Sequence, residues 1–259
     1  MQERGILFED PEFNVVSAKI PTTKHRSQSS ITWMRPYELC ARPKFISENT
    51  SRFDIEQGEL GDYSLVAAVS CLTMTPRFLE RFGDWVEIVV DDRLPTAKGR
   101  PLFLRSTDPT EFWPALLEKA YAKFYCGYTN LLGGRTSQTL QDMTGGVGQN
   151  FRISEHDPHV MYQTVNSSIS RSTLLAASIR TEQRSPVRLR NGLVTQHAYS
   201  VTGLARDPGR SSWILVGVNT VPLCSPKAKQ AQEKSQTSTW VLQFFLAPQK
   251  LQAALSSLS

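Results

Sequence analysis

Long apolar runs, clustered cysteines, basic blocks and internal repeats are all missing from this 259-residue chain. No stretch approaches the roughly 20 apolar residues that cross a bilayer, so no spanning helix is expected. The first residues, MQERGILFEDPEF, are charged and lack the apolar core of a secretory leader. The four cysteines, Cys40, Cys71, Cys126 and Cys224, lie far apart with no metal-type spacing. Free thiols in a reducing compartment are the simplest reading, and a cytoplasmic location follows as the expectation. The net charge of +5, from 29 basic and 24 acidic residues, is scattered rather than set in a block beside aromatics. A nucleic-acid surface is therefore not expected. What is present is ordinary for a globular protein: 40% hydrophobic and 20% charged residues, enough for one large domain or two modest ones.

The texture changes along the chain. Residues 1–30 read as an extended N-terminal segment, with PTTKHRSQSS as a surface loop. Pro36 and Pro43 bracket a short helical turn in WMRPYELCARPKFI. A buried helix is expected from about Asp62 to Leu72, and a second short one over RFLERF. WVEIVVDDRLP reads as an apolar strand ending in two acids. TEFWPALLEKAYAKFYC carries Phe112, Leu116, Leu117, Ala120 and Phe124 at helical spacing. A further helical stretch surrounds SQTLQDM. FRISEHDPHVMYQTVNSSISRS shows no strong periodicity, and then come strand-like runs at TLLAASI, HAYSVTGLA, SWILVGVN and TWVLQFFLA. Helices first and strands later suggest an α+β protein: an α-rich part over 31–170 and a β-rich part over 171–259. The polar tract over 223–239 is read as a flexible loop.

The chemistry centres on QGELGDYSLVAAVSCL, residues 57–72. A glycine-bounded helix start offers unpaired N–H groups and the positive end of the helix dipole, which favour a thiolate. Gln57 stands where an amide can address an oxyanion beside such a nucleophile. A base is also needed. GLVTQHAYSVTGL puts His197 at the start of a strand, and WILVGVNTV puts Asn219 at the end of the next. A histidine and an asparagine on neighbouring strands form the pairing that fixes the imidazole tautomer in papain-like proteases.

In these segments the sequence resembles the protease core of the calpains, calcium-dependent cysteine endopeptidases. The family motif around the nucleophile is close to Q-G-x-L-G-D-C-W-x-L-A-A, against Gln57 to Ala68 here. The His segment, residues 192–203, matches throughout. WVEIVVDDRLPT, EFWPALLEKAYAK, TGGV, LFEDPEF, WMRPYELCARPKFI and SRFDIEQG extend the likeness over about residues 6–219. The resemblance implies a papain-like core: a helical first subdomain with the nucleophile and Gln57, a β-barrel-like second with His197 and Asn219, and a cleft between. It also implies a peptide or protein as substrate or partner, and calcium as a cofactor. Oligomeric state is left open.

The chain departs from that pattern where the chemistry sits. Tyr63 occupies the cysteine position and Ser64 the tryptophan position. A phenol with pKa near 10 is a poor nucleophile at neutral pH. Ser64 is turned about 100° away on the helix, and Cys71, two turns on, reads as core. Asn219 is followed by Thr220-Val221-Pro222 in place of the family's Pro-Trp-Gly, and the acidic segment of the second calcium site is absent. In the first calcium site Asp54 matches the carboxylate ligand, with Ser47 and Asn49 offering backbone oxygens. The second carboxylate falls on Thr129, so calcium binding is expected to be weak or absent. The link between RFLERF and GDWVEIVV is shorter than in the family. Asp91-Asp92 read as structural acids, His25, His156 and His159 as solvated, and Trp113 as core. The expectation is a calpain-like core without peptidase activity that binds peptides or partners. The alternatives are an active calcium-dependent endopeptidase and a truncated or mis-spliced product.

Overall fold

The computed structural model describes residues 7–21, 30–47, 55–73, 86–170, 174–180, 186–189, 193–206, 213–218 and 239–246. Contacts divide the chain into two compact units, one of residues 1–62 and 86–134, the other of residues 63–85 and 135–259. The helix that begins at Tyr63 groups with the later strands.

In the first unit, strands β1 (Thr32–Met34), β3 (Leu94–Ala97) and β4 (Arg100–Pro101) form a small antiparallel sheet. A second pairing joins β2 (Ile55–Glu56) to β5 (Arg105–Ser106). Helix α1 (Pro36–Leu39) is the short turn expected between the prolines. The larger helix, α3 (Trp113–Phe124), starts where the Phe112 and Trp113 N–H groups donate to the carbonyls of Lys44 and Phe45 at 3.1 and 2.9 Å. Leu94, Phe112 and Ala115 form a core cluster with Leu39, Cys40 and Leu116 at its margin.

Two expectations are corrected here. WVEIVVDDRLP is not a strand over its length: residues 86–93 are irregular and β3 begins only at Leu94. The carbonyls of Val89, Asp91 and Arg93 accept from lysine ammonium groups of α3, at 2.8, 2.9 and 2.7 Å, instead of from a ladder. The α3 face expected to be buried is also wrong in part, since Phe124 is 44% exposed. The buried stripe is Ala115, Glu118, Lys119 and Ala122, at i, i+3, i+4, i+7, with two charges at its centre.

The N-terminal segment is fastened to this unit. Lys123 Nζ donates to Asp10 Oδ2 at 2.8 Å, the Asp10 N–H donates to Asp91 Oδ2 at 2.8 Å, and the Ala18 carbonyl accepts from Tyr128 at 2.8 Å. Asp92 pairs with Arg35. The two consecutive acids are thus both structural.

The second unit is built on an antiparallel sheet in the order β6 (Val147–Arg152), β10 (Thr239–Leu246), β7 (Leu174–Arg180), β8 (Ala198–Arg206), β9 (Trp213–Val218). The expected barrel is replaced by an open sheet, because β6 and β9 stand at opposite edges with no pairing between them among the described residues. Neighbouring side chains on a strand point to opposite faces. Leu174 therefore packs with α2 (Tyr63–Thr73) and α4 (Thr136–Thr144), in a cluster with Ala68, Cys71, Leu72 and Leu140. Leu175, Ala177 and Ile179 face the other way, joined by Met161 and Val165 of α5 (Pro158–Ser170) and by Tyr199 and Val201. Both faces of β7 are covered, which explains its near-continuous apolar run.

Helix α5 fills the stretch that shows no periodicity in the sequence. Its start has a local cause: Asp157 Oδ1 accepts the His159 and Val160 N–H groups at 2.8 and 3.2 Å, with Pro158 in the first turn. Helix α4 ends at Gly145, whose φ of 65° is the left-handed stop that glycine takes without strain. The RFLERF helix, the shortened link and the 223–238 part of the expected loop lie outside the described residues.

Candidate functional site

Gln57 lies in the first unit, 8% exposed, between β2 and the Gly61-Asp62 turn. Its Nε2 donates to the Leu60 carbonyl at 2.7 Å and to Asp62 Oδ1 at 3.1 Å. An amide nitrogen has two hydrogens, so both are engaged within residues 57–62. The amide orientation follows from these partners, since both are acceptors and only the nitrogen can face them. Asp62 is 1% exposed and meets Glu118 of α3, itself 2% exposed. Burial pushes the Asp62 carboxyl up to about 6, against the lowering effect of hydrogen bonds with Glu118 and Gln57. Burial, and then the charge of Asp62, hold the Glu118 carboxyl well above the usual range. The Leu104 N–H donates to Glu118 Oε2 at 2.9 Å. Tyr128, fully buried beside them, has its phenol pushed up by burial and by both acids.

Tyr63 lies in the second unit, at the first position of α2. Its ring meets the imidazole of His197 edge-on, with centroids 5.1 Å apart and planes at 76°. His197 is 7% exposed and touches Tyr199 on another side, at 4.9 Å and 89°. The local reason is a turn before β8. Gln196 has a φ of 53°, its N–H donates to the Ile179 carbonyl at 2.8 Å, and the next residue is delivered to the start of β8. Tyr199 is pinned in turn: its hydroxyl accepts from the Val194 N–H at 2.7 Å and donates to the Val194 carbonyl at 3.2 Å. An aromatic pair in this T-shaped arrangement contributes about 0.5–1.5 kcal/mol beyond its buried area.

Other candidate nucleophiles on α2 are poorly placed for chemistry. Ser64 is 5% exposed. Cys71 is fully buried, its thiol pushed up to about 12 by burial, with the Ser200 contact only partly offsetting this. Its Sγ donates to the Leu175 carbonyl at 3.4 Å, the behaviour of a core thiol. His159 bonds Gln163 and His156 packs against Phe151, both exposed. Asn219, Asp54, Asn49 and His25 lie outside the described residues.

Of the positions named for calcium, Ser47 and Thr129 are described. The Ser47 N–H donates to Glu111 Oε1 at 2.6 Å. Thr129 turns its hydroxyl and its N–H to the Lys19 carbonyl. No group of three or more His, Cys, Asp or Glu side chains among the described residues is placed to hold a metal. No helix among them is long and apolar enough to cross a membrane.

Glu118 and Lys119 are the residues that sequence reasoning missed. The signal was there in their i, i+3, i+4, i+7 spacing with Ala115 and Ala122, but a charge at such a position reads as surface until its partner is known.

Comparison with known proteins gives a consistent result. The sequence profile described as "Calpain family cysteine protease" matches residues 8–82 and 78–218. Calpain-9 of Mus musculus is 40% identical over 226 residues, covering 78% of this chain and 32% of its own length. Calpain-8 of Rattus norvegicus is 38% identical over 228 residues, with 77% and 32% covered. Calpain clp-4 of Caenorhabditis elegans is 37% identical over 221 residues, with 76% and 31% covered. The chain thus matches only about a third of the length of these relatives.

Proposed function

Because the chain belongs to the calpain family of cysteine proteases, we propose that it is a protease core that no longer cleaves peptides and serves as a binding protein. The observation that carries this reading is the Tyr63 ring packed against His197 at the position where the family motif has its cysteine. A phenol is protonated at neutral pH, and its bulk fills space that a small thiol leaves open. The engagement of both Gln57 Nε2 hydrogens supports the reading, since an oxyanion would have to compete with Leu60 and Asp62 for them. The ligand in this reading is an extended peptide or a protein segment, held by main-chain hydrogen bonds that need no cysteine. A cytosolic site of action goes with it.

Family membership favours a second reading, a calcium-dependent endopeptidase. It requires a nucleophile other than Tyr63, and neither buried Ser64 nor Cys71 with its raised thiol suits that role.

The test is calcium-dependent hydrolysis of a fluorogenic peptide by the wild type and by Tyr63→Cys, after both are shown to melt cooperatively. No hydrolysis by the wild type is expected, and hydrolysis would overturn the proposal. Cleavage by Tyr63→Cys alone would mean an intact scaffold silenced at one residue. A separate expectation concerns the cofactor. Millimolar calcium should leave the melting temperature unchanged within about 1 °C, because a ligand stabilises only what it binds. A clear upward shift would show a working site and favour the second reading.

A further inference from the structure

Three oxygens buried in the first unit have no hydrogen-bond donor among the described residues: Gln57 Oε1, Asp62 Oδ2 and Glu118 Oε1. Two of them belong to carboxyl groups that are in hydrogen-bond contact with each other. Their other oxygens are already engaged, Asp62 Oδ1 by Gln57 Nε2 and Glu118 Oε2 by the Leu104 N–H. Two carboxylate ions have no hydrogen between them, so this contact requires a proton. Both groups are almost wholly out of water, where a second uncompensated charge is strongly disfavoured.

We propose that Asp62 and Glu118 share one proton, and that this acid–carboxylate pair is a pH-sensitive latch holding the Gln57 amide turned inward. The Glu118 acid donates through its proton to Asp62, whose far oxygen accepts from Gln57 Nε2, while Leu60 takes the second Nε2 hydrogen. When a base in solution removes the proton, two negative charges face each other. The charges separate when residues 57–62 lift from α3 and water enters, and that movement frees the Gln57 amide.

Among the described residues the surroundings supply no compensating cation. Lys119, the next residue of α3, turns to Asp91 and Arg93, and Arg105 of β5 bonds Glu56. Lys123 is taken by Asp10, Glu12 and the Val89 carbonyl. Tyr128 faces the pair, and Asp91 adds only further negative charge near it. Burial raises both acids, Asp62 to about 6 and Glu118 well above the ordinary range. The folded state therefore holds protons more tightly than the unfolded chain. The stabilisation is full below the ordinary carboxylate values and is lost as pH rises through the folded ones, from about pH 4 upward past 6.

This inference does not depend on whether Tyr63 silences the protein, because neither carboxyl takes part in the hydrolysis assay's chemistry. Hydrogen exchange of residues 57–62 in the full chain, corrected for its intrinsic pH dependence, reads the latch between pH 5 and 9. The opening constant of the wild type should rise by up to about tenfold per pH unit across the titration. Glu118→Gln, whose amide donates to Asp62 without a titrating proton, should give a flat profile. A flat wild-type profile, or parallel profiles for the two proteins, overturns the proposal. If Glu118→Gln fails to fold, infrared spectroscopy of the wild type decides. A protonated-carboxyl C=O band should persist at pH 7, and its absence overturns the shared proton.

Discussion

Lys119→Met is expected to cost about 3–5 kcal/mol, the usual result of removing one partner of a buried ion pair. For a chain of this size that lowers the melting temperature by roughly 10 °C. Lys119 is wholly buried, and its three ammonium hydrogens reach Asp91 Oδ1 at 2.5 Å and the Asp91 and Arg93 carbonyls at 2.9 and 2.7 Å. Methionine fills the space but leaves a buried carboxylate and two carbonyls short of donors. Arg93 still holds Asp91 Oδ2 at 2.7 Å, which places the loss toward the lower end. Burial pushes the Asp91 carboxyl up, but Arg93, Lys119 and the Asp10 N–H together outweigh it and hold it well below the usual range. The sign is opposite to that of Glu118: this stabilisation is present at neutral pH and lost as pH falls through the folded value. Lys119→Met should therefore also flatten the acid side of the stability profile. A melting temperature within 2 °C of wild type would refute the importance assigned to the pair.

Gly58→Ala should cost about 3 kcal/mol, at the upper end for inserting one methyl group. The reason is proximity. A Cβ on Gly58 would lie 2.2 Å from the Phe103 carbonyl oxygen, 2.4 Å from that of Leu102 and 2.5 Å from the Phe103 carbonyl carbon. All three atoms are backbone, and no flexible side-chain end can yield. The facing segment is held: Leu102, Phe103 and Leu104 are buried, and the Glu59 N–H donates to the Leu102 carbonyl at 3.1 Å. Relief must come from displacing residues 57–59, which carries Gln57 away from Leu60 and Asp62. Thermal melting and exchange at residues 57–62 should change together. Wild-type melting by Gly58→Ala would show that the approach is looser than these distances.

Together with the latch, these substitutions probe one assembly, in which residues 57–62 are pressed onto residues 102–104 and α3 by close packing and buried polar groups. Tyr63, the next residue, opens the second unit, where its ring packs on His197. Gln57, Tyr63 and His197 are thus each set in position by hydrogen bonds or ring packing of ordinary core kind.

Much of this was legible in the sequence because the cause was local. The apolar run after Asp62 gave α2, Pro36 and Pro43 framed α1, and the four late strand-like runs appear as β7 to β10. The motif spanning Gln57 to Ala68 and the segment around His197 carried the family. Helix α5 lacks a clear apolar period, and its one local sign is the Asp157-Pro158 start. Tertiary structure alone decided the rest. Residues 86–93 have the composition of a strand, yet lysines of α3 take their carbonyls. Glu118 and Lys119 have the character of surface residues, yet acids and carbonyls distant in sequence bury them. The late strands form an open sheet, with α2 packed on its face, because partner choice depends on which chain segments meet. Local pattern fixes which backbone conformation each segment prefers. Only the folded chain decides which distant group satisfies a buried charge.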